Sequence, residues 1–304
     1  MLPPCLERRA TGLAQRFLPR EALANTSLRH IPPDFSAESL REIDRRLTDL
    51  ECQEDATLLL AVESGSRAWG FASPDSDFDC RFIFVRRIER YLSLSPPRDV
   101  IELPTDGVFD INGWDLAKTL KLMLKGNVTA LEWLQSPINY AGSEHFRDEL
   151  LAFARRHTSR DLVARHYLYL GLRQRRACFS DRASVPLKRL FYALRPAAAL
   201  RWLRLHPQGN VPPMHFPTLM AETSPPPEIR ELVAALIAEK ARTHELGTMI
   251  LPEAISCFVD TEFDAATRLL GQERNRSTFG AEEEANALLR RWIGMDGGRS
   301  VAIA

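Results

Sequence analysis

Two aspartates, Asp77 and Asp79, lead into the run Phe78-Asp79-Cys80-Arg81-Phe82-Ile83-Phe84-Val85. Read as a strand, that run alternates its side chains between faces, so Asp77, Asp79 and Arg81 share one face and Phe78, Cys80, Phe82 and Phe84 the other. Carboxylates at i and i+2 on a strand stand about 6.6 Å apart at their backbones, close enough to converge on divalent cations. Phosphoryl-transfer sites hold two such ions about 3.5–4 Å apart, and Mg²⁺ needs only a few carboxylates beside the substrate phosphates. Just upstream, Gly65-Ser66 ends the apolar run Ala56 to Val62, which is too short for a helix and reads as a buried strand. A small-residue turn opening a helix presents backbone N–H groups to phosphate, and Ser66 adds a hydroxyl. Arg67 and Arg81 are candidates to neutralise phosphate charge with bidentate guanidinium geometry.

Several elements must position these groups. Ser36 caps a predicted amphipathic helix to Leu50, with Leu40, Ile43, Leu47 and Leu50 at helical spacing. A short helix is expected from Ile88 to Leu94, ended by Pro96-Pro97. Asp99 to Leu103 and Gly107 to Ile111 read as a hairpin pair, which puts Asp110 on a strand as the candidate third carboxylate. Asp115 competes for that role, although its position before Leu116 to Lys125 suits a helix cap. A short helix from Thr129 to Gln135 follows. Beyond about residue 140 strand signals stop and helices take over: 145–157, 159–178, 185–205, 227–246, 252–259 and 281–292, with Pro-rich loops at 207–217 and 224–227. Lys188 and Arg195, seven apart, share one face of a predicted helix and are candidate nucleotide-binding cations; a solvated basic face is the ordinary explanation. The run Arg173-Gln174-Arg175-Arg176 is a weaker version of the same idea. Trp69 reads as core packing that fixes the loop, and Glu63 either positions Arg67 or simply begins the turn.

Composition bounds the class more than the chemistry. The chain has 304 residues, 45% apolar and 26% charged, and a formal net charge of zero, so a globular protein is expected with no global basic field for nucleic acid. The five cysteines lack CxxC or CxxH spacing, which argues against a zinc site or a disulfide framework and for reduced, mostly buried thiols. None of the seven histidines has metal-ligand spacing. No run approaches the roughly 20 apolar residues of a membrane span, and the N-terminus lacks the apolar core of a secretory signal, so a cytoplasmic protein is expected. The partition is a weakly ordered arm over 1–33, an α+β core over 34–140 and a mainly helical domain over 141–304.

The stretch from Gly65-Ser66-Arg67-Ala68-Trp69-Gly70 through Ser73-Pro74-Asp75-Ser76-Asp77-Phe78-Asp79-Cys80-Arg81-Phe82-Ile83 is similar to the signature of predicted nucleotidyltransferases of the DNA polymerase β superfamily. It resembles in particular the bacterial and phage group of RNA-ligase-associated nucleotidyltransferases. Asp110 to Leu116, Leu124-Lys125-Gly126-Asn127 with Leu131-Glu132-Trp133-Leu134, and Leu187 to Pro196 with Arg201-Trp202 look like the same family, so the resemblance covers residues 40 to 220. It departs from the pattern at Val128, where proline is expected. The resemblance implies a nucleotidyltransferase-type mixed sheet with flanking helices, followed by a helical domain. It also implies Gly65 and Ser66 at the nucleotide phosphates, and Asp77, Asp79 and Asp110 as ligands of two Mg²⁺ ions, with Mn²⁺ as an admissible substitute.

The expected reaction is metal-dependent transfer of a nucleoside monophosphate from an NTP to an acceptor hydroxyl, an RNA end being favoured, with release of pyrophosphate. The competing expectation is a non-catalytic nucleotide sensor or antitoxin-like interaction module on the same fold. The intact Asp77 and Asp79 count against it. A metal-dependent phosphohydrolase is weaker still, because the His-Asp pairs common in such sites are missing.

Overall fold

A computed structural model describes residues 27–178, 185–242, 248–270 and 279–294. Ser36 does cap the first described helix, α1 (Ala37–Glu54): its side chain accepts from Ser39 N at 3.2 Å. The helix ends at Asp55, whose φ of +48° is left-handed. The chain then enters β1 (Ala56–Glu63), the short helix α2 (Gly65–Trp69) and β2 (Phe78–Arg86). Next come α3 (Ile88–Tyr91), β3 (Val100–Glu102) and β4 (Phe109–Asp115). Then follow α4 (Leu116–Leu124), α5 (Val128–Trp133) and β5 (Asn139–Gly142).

These strands form one mixed sheet in the order β3-β4-β2-β1-β5. β1 lies antiparallel to both β2 and β5, β3 is antiparallel to β4, and β2 and β4 pair in parallel. The alternation expected along β2 is present. Phe78, Cys80, Phe82 and Phe84 pack with Ile43, Leu47 and Leu50 of α1, while Ile83 and Val85 face a larger cluster built from the remaining helices. Asp79 and Arg81 therefore point to the side of the sheet opposite α1. In β4, Gly113 lies opposite Phe82, and a Cβ there would meet the phenyl ring at 2.2 Å, so the close approach of the two strands depends on this glycine.

Helices dominate the rest of the chain: α6 (Glu144–His157), α7 (Arg160–Cys178), α8 (Leu187–Leu205), α9 (Phe216–Thr223), α10 (Pro227–Lys240), α11 (Glu253–Leu270) and α12 (Phe279–Trp292). A two-residue ladder joins β6 (Val185–Pro186) to β7 (Thr248–Met249). Their apolar faces belong to the same buried cluster as Leu60, Val62 and Ile83 of the sheet. No helix of the described residues is long and apolar enough to cross a membrane.

Five expectations need correction. Strands do not stop at residue 140, because β5 pairs with β1. Residues 27–30 of the supposed arm are docked on β5: Leu28 N donates to Gly142 O and His30 N to Asn139 O, both at 2.9 Å. Residues 1–26 lie outside the described residues. The helix expected from Val185 starts at Leu187, since Val185 and Pro186 form the ladder strand. Part of the supposed Pro-rich loop is the helix α9, with Pro217 in its first turn and Phe216, Leu219 and Met220 buried. Cys52, expected as a thiol, is disulfide-bonded, whereas Cys80 is free and buried and Cys257 free and exposed.

Candidate active site

The parallel register of β2 and β4 sets Asp79 directly opposite Asp110 and Arg81 opposite Asn112. All four side chains emerge on the face turned away from α1. Arg81 lies between the two acids: Nη2 donates to Asp79 Oδ1 at 3.0 Å and to Asp110 Oδ2 at 2.6 Å, and Nη1 to Asp110 O at 2.8 Å. Asn112 Nδ2 adds a 3.3 Å bond to Asp110 Oδ1. Arg81 was expected at substrate phosphate; in this structure its donors bridge the carboxylates.

Asp77 is exposed and sits just before the first residue of β2. Among the described residues no three His, Cys, Asp or Glu side chains converge as a ready-made metal cluster. The three aspartates are thus brought to one end of the sheet without being drawn together. Their chemistry still fits a divalent ion: the donors are hard oxygens, and Mg²⁺ commonly completes its shell with water and substrate phosphate. The Asp79 carboxyl is pushed up from its ordinary value, first by burial, while Arg81 and Lys188 pull it down and Asp110 and Asp77 push it further up. Mutual repulsion among these carboxylates is what a bound cation would relieve. Lys188, in the first turn of α8, is half-buried and near enough to act on Asp79.

Asp115 belongs to a different place. It pairs with Phe84, five residues along β4 from Asp110 and hence on the other face. Its buried carboxylate caps α4, accepting from Ala117 N and from Tyr91 Oη, each at 2.7 Å.

The turn at Gly65-Ser66 is fitted to Asp79. Gly65 has φ +61°, and a Cβ there would lie 1.9 Å from Asp79 Oδ2. Only glycine permits both the left-handed backbone and that approach. Ser64 N donates to Asp79 O at 2.8 Å, which staples the turn to the start of β2. As the first residues of α2, Gly65 and Ser66 carry N–H groups without intrahelical acceptors.

Beneath the turn lies a buried hydroxyl chain. Ser66 Oγ donates to Ser76 Oγ at 3.0 Å, Ser73 Oγ lies 2.9 Å from Ser76 Oγ, and Lys240 Nζ, at the end of α10, donates to Ser73 Oγ at 3.3 Å. Lys240 is 1% exposed. Arg67, also expected at phosphate, instead anchors this loop: Nε donates to Asp77 O at 3.1 Å, Nη2 donates to Ser76 O, and the guanidinium lies 4.1 Å over the Phe78 ring. It fixes the backbone that carries Asp77.

Glu63, fully buried, does not hold Arg67. Its Oε1 accepts from Asp79 N at 2.9 Å and its Oε2 accepts from Tyr140 Oη. Burial raises its pKa to about 8, against the two hydrogen bonds, which lower it. Arg195 is likewise withdrawn from solvent: it is 5% exposed, ion-paired with Glu132 and stacked 4.1 Å over Trp69. A buried guanidinium committed to a carboxylate and an aromatic face serves the packing under α2. Trp69 packs against Phe71 and Tyr192, as core.

Sequence reasoning missed Tyr140, Lys240 and Ser73. Tyr140 sits on the unforeseen strand β5, and Lys240 reaches the loop from 167 positions away. No local pattern announces either.

A mixed sheet with helices on both faces, two level aspartates on parallel neighbours and a glycine-serine turn against them define a nucleotidyltransferase-type α+β fold. The chain belongs to the RNA repair pathway DNA polymerase beta family, whose model matches residues 40–291. It is 36% identical over 247 residues to the uncharacterised protein YcgL of Bacillus subtilis (strain 168), a match that covers 80% of this chain and 92% of that protein.

Proposed function

We propose that this chain is a divalent-metal-dependent nucleotidyltransferase that moves a nucleoside monophosphate from an NTP to a hydroxyl of an RNA end. The observation that carries this reading is the level pairing of Asp79 and Asp110 beside the Gly65 turn. The acceptor hydroxyl attacks the α-phosphorus, a new P–O bond forms, and the bond to pyrophosphate breaks. Asp110, the more exposed of the pair with a side chain 41% accessible against 28% for Asp79, faces the incoming hydroxyl and takes its proton. Asp79 and Asp110, with Asp77 at the mouth, would hold the divalent cation, which when bound neutralises the triphosphate and the departing pyrophosphate. The N–H groups of Gly65 and Ser66 receive the β,γ-phosphates, and Lys188 adds positive charge from the helical side. The family's description, which names RNA repair, supports RNA as the acceptor.

The test is incubation of the full chain with α-labelled NTPs, Mg²⁺ or Mn²⁺ and a panel of RNA, protein and small-molecule acceptors, with products resolved by mass. RNA should gain one nucleotide. Asp79→Asn and Asp110→Asn should lower the rate by about 100-fold or more while the proteins stay folded. Undiminished transfer by Asp79→Asn would sink the assignment. The second reading, a nucleotide sensor without transfer, draws on the Arg81 bridge between the acids. It predicts nucleotide binding with no pyrophosphate release for any acceptor.

A further inference from the structure

The Arg173-Gln174-Arg175-Arg176 run near the end of α7 is not used by the site described above, and the structure divides it. Arg175 is engaged in a half-exposed ion pair with Asp260 of α11. Arg173 and Arg176 are exposed, and with Tyr169 they stand at i, i+4 and i+7, one face of the helix. Tyr169 is 68% exposed, an unusual setting for a large aromatic ring. The three side chains, with Leu172 and Ala177, line an open surface depression of about 430 Å³.

The stripe also has a definite address. Arg160, at the start of α7, donates to Leu203 O near the end of α8; Tyr167 and Arg195 share Glu132; a Cβ on Gly171 would lie 3.1 Å from Pro196. The pairing of Arg160 with Leu203 and of Tyr167 with Arg195 through Glu132 makes the helices antiparallel, and continued along the axis it sets Arg176 level with the first turn of α8. That turn carries Lys188, which acts on Asp79. The stripe lies on the face of α7 turned away from Gly171 and its contact with α8, and it ends level with Lys188 along the helix axis.

We propose that Tyr169, Arg173 and Arg176 form a docking surface for the single-stranded RNA that delivers the acceptor end to the site. Guanidinium groups match phosphate, and an exposed aromatic ring between charges offers a stacking platform for an unpaired base. A purely acidic partner would use the charges and leave the ring idle. The inference rests on the transferase reading for its choice of RNA, and it assigns the residues that hold the strand away from the reacting atoms.

The experiment is fluorescence anisotropy of the full chain with a labelled single-stranded RNA of about 12 nucleotides, repeated over roughly 50 to 200 mM salt. Tyr169→Ala should weaken binding by about 5- to 30-fold. Arg173→Ala combined with Arg176→Ala should lower the log–log salt slope by about 1.4, two contacts' worth on a single strand. Variants with wild-type affinity and slope, or displacement of RNA by polyglutamate as readily as by unlabelled RNA, would overturn the surface. The same proteins are assayed for transfer to separate the two ideas. Binding through the stripe without any transfer would defeat the transferase reading and leave the surface standing. Transfer to RNA by proteins whose binding ignores the stripe would do the reverse.

Discussion

The side chain of Glu63 accepts the backbone N–H of Asp79 at 2.9 Å, so a buried acid on β1 holds the residue that the proposed chemistry turns on. Burial raises the Glu63 pKa from 4.5 to about 8. A carboxyl that keeps its proton longer in the folded state stabilises the fold fully below its unfolded value of 4.5, and that contribution is lost as pH rises through about 8. Urea unfolding in EDTA should therefore show stability declining across this window, by something on the order of 2–4 kcal/mol. Glu63→Gln, which mimics the protonated acid and keeps an acceptor for Asp79 N, should flatten the profile. An equally steep profile in that variant would place the titration elsewhere.

Gly65→Ala should be far more damaging than an exposed glycine substitution. The new methyl would stand 1.9 Å from Asp79 Oδ2 on a backbone with φ +61°. A loss of about 1–3 kcal/mol is expected from the left-handed conformation alone, and transfer activity should fall further than stability because Asp79 must move. Gly107→Ala is the control, since its φ is +60° but no atom lies within 4 Å of the added Cβ. Comparable loss of transfer in both would show that backbone conformation matters and the contact does not.

Arg81 is the counter-ion of the two aspartates in this structure. Arg81→Gln should lower the melting temperature in EDTA, by an amount corresponding to about 1–3 kcal/mol, because two partly buried carboxylates lose their shared donor. Added Mn²⁺ should then stabilise the variant more than the wild type. Thermal unfolding with and without Mn²⁺ reads both effects, and equal Mn²⁺ shifts would show that guanidinium and metal do not compete.

Lys240→Met tests the hydroxyl chain from the far side. The apolar replacement fills the space yet withdraws the donor to Ser73 Oγ, for an expected cost of about 1–3 kcal/mol. The KM for NTP should rise more than kcat falls, since the chain ends at Ser66 in the turn proposed to receive phosphate. Lys240→Arg should recover part of the KM. A change in stability with unaltered KM would confine Lys240 to packing.

The most local parts of this fold were legible in the sequence. The caps Ser36 and Asp115, the alternation along β2 and the Gly65-Ser66 turn each depend on neighbouring residues, and each stands as expected. The facing of Asp79 and Asp110 needed a parallel register that no local pattern encodes. The arginines were the least readable: Arg67, Arg81 and Arg195 all resemble phosphate ligands in sequence. Their donors are committed to Ser76 and Asp77, to Asp79 and Asp110, and to Glu132. β5 was hidden because Asn139-Tyr140-Ala141-Gly142 is too short and mixed to alternate. Proline misled at α9, where Pro217 begins a helix that a breaker would have forbidden.

The docking of residues 27–30 along β5 has a colloidal consequence. An uncovered strand edge is a template on which another chain can zip up, the usual beginning of sheet-to-sheet aggregation. Here the bridges Ser27↔Ser143 and His30↔Asn139 cap one edge of the sheet. The opposite edge is β3, only three residues long and ending in the exposed Glu102. Removing residues 27–30 would bare the β5 edge, and such a truncated chain should precipitate at concentrations where the intact chain stays dispersed, with the aspartate pair untouched.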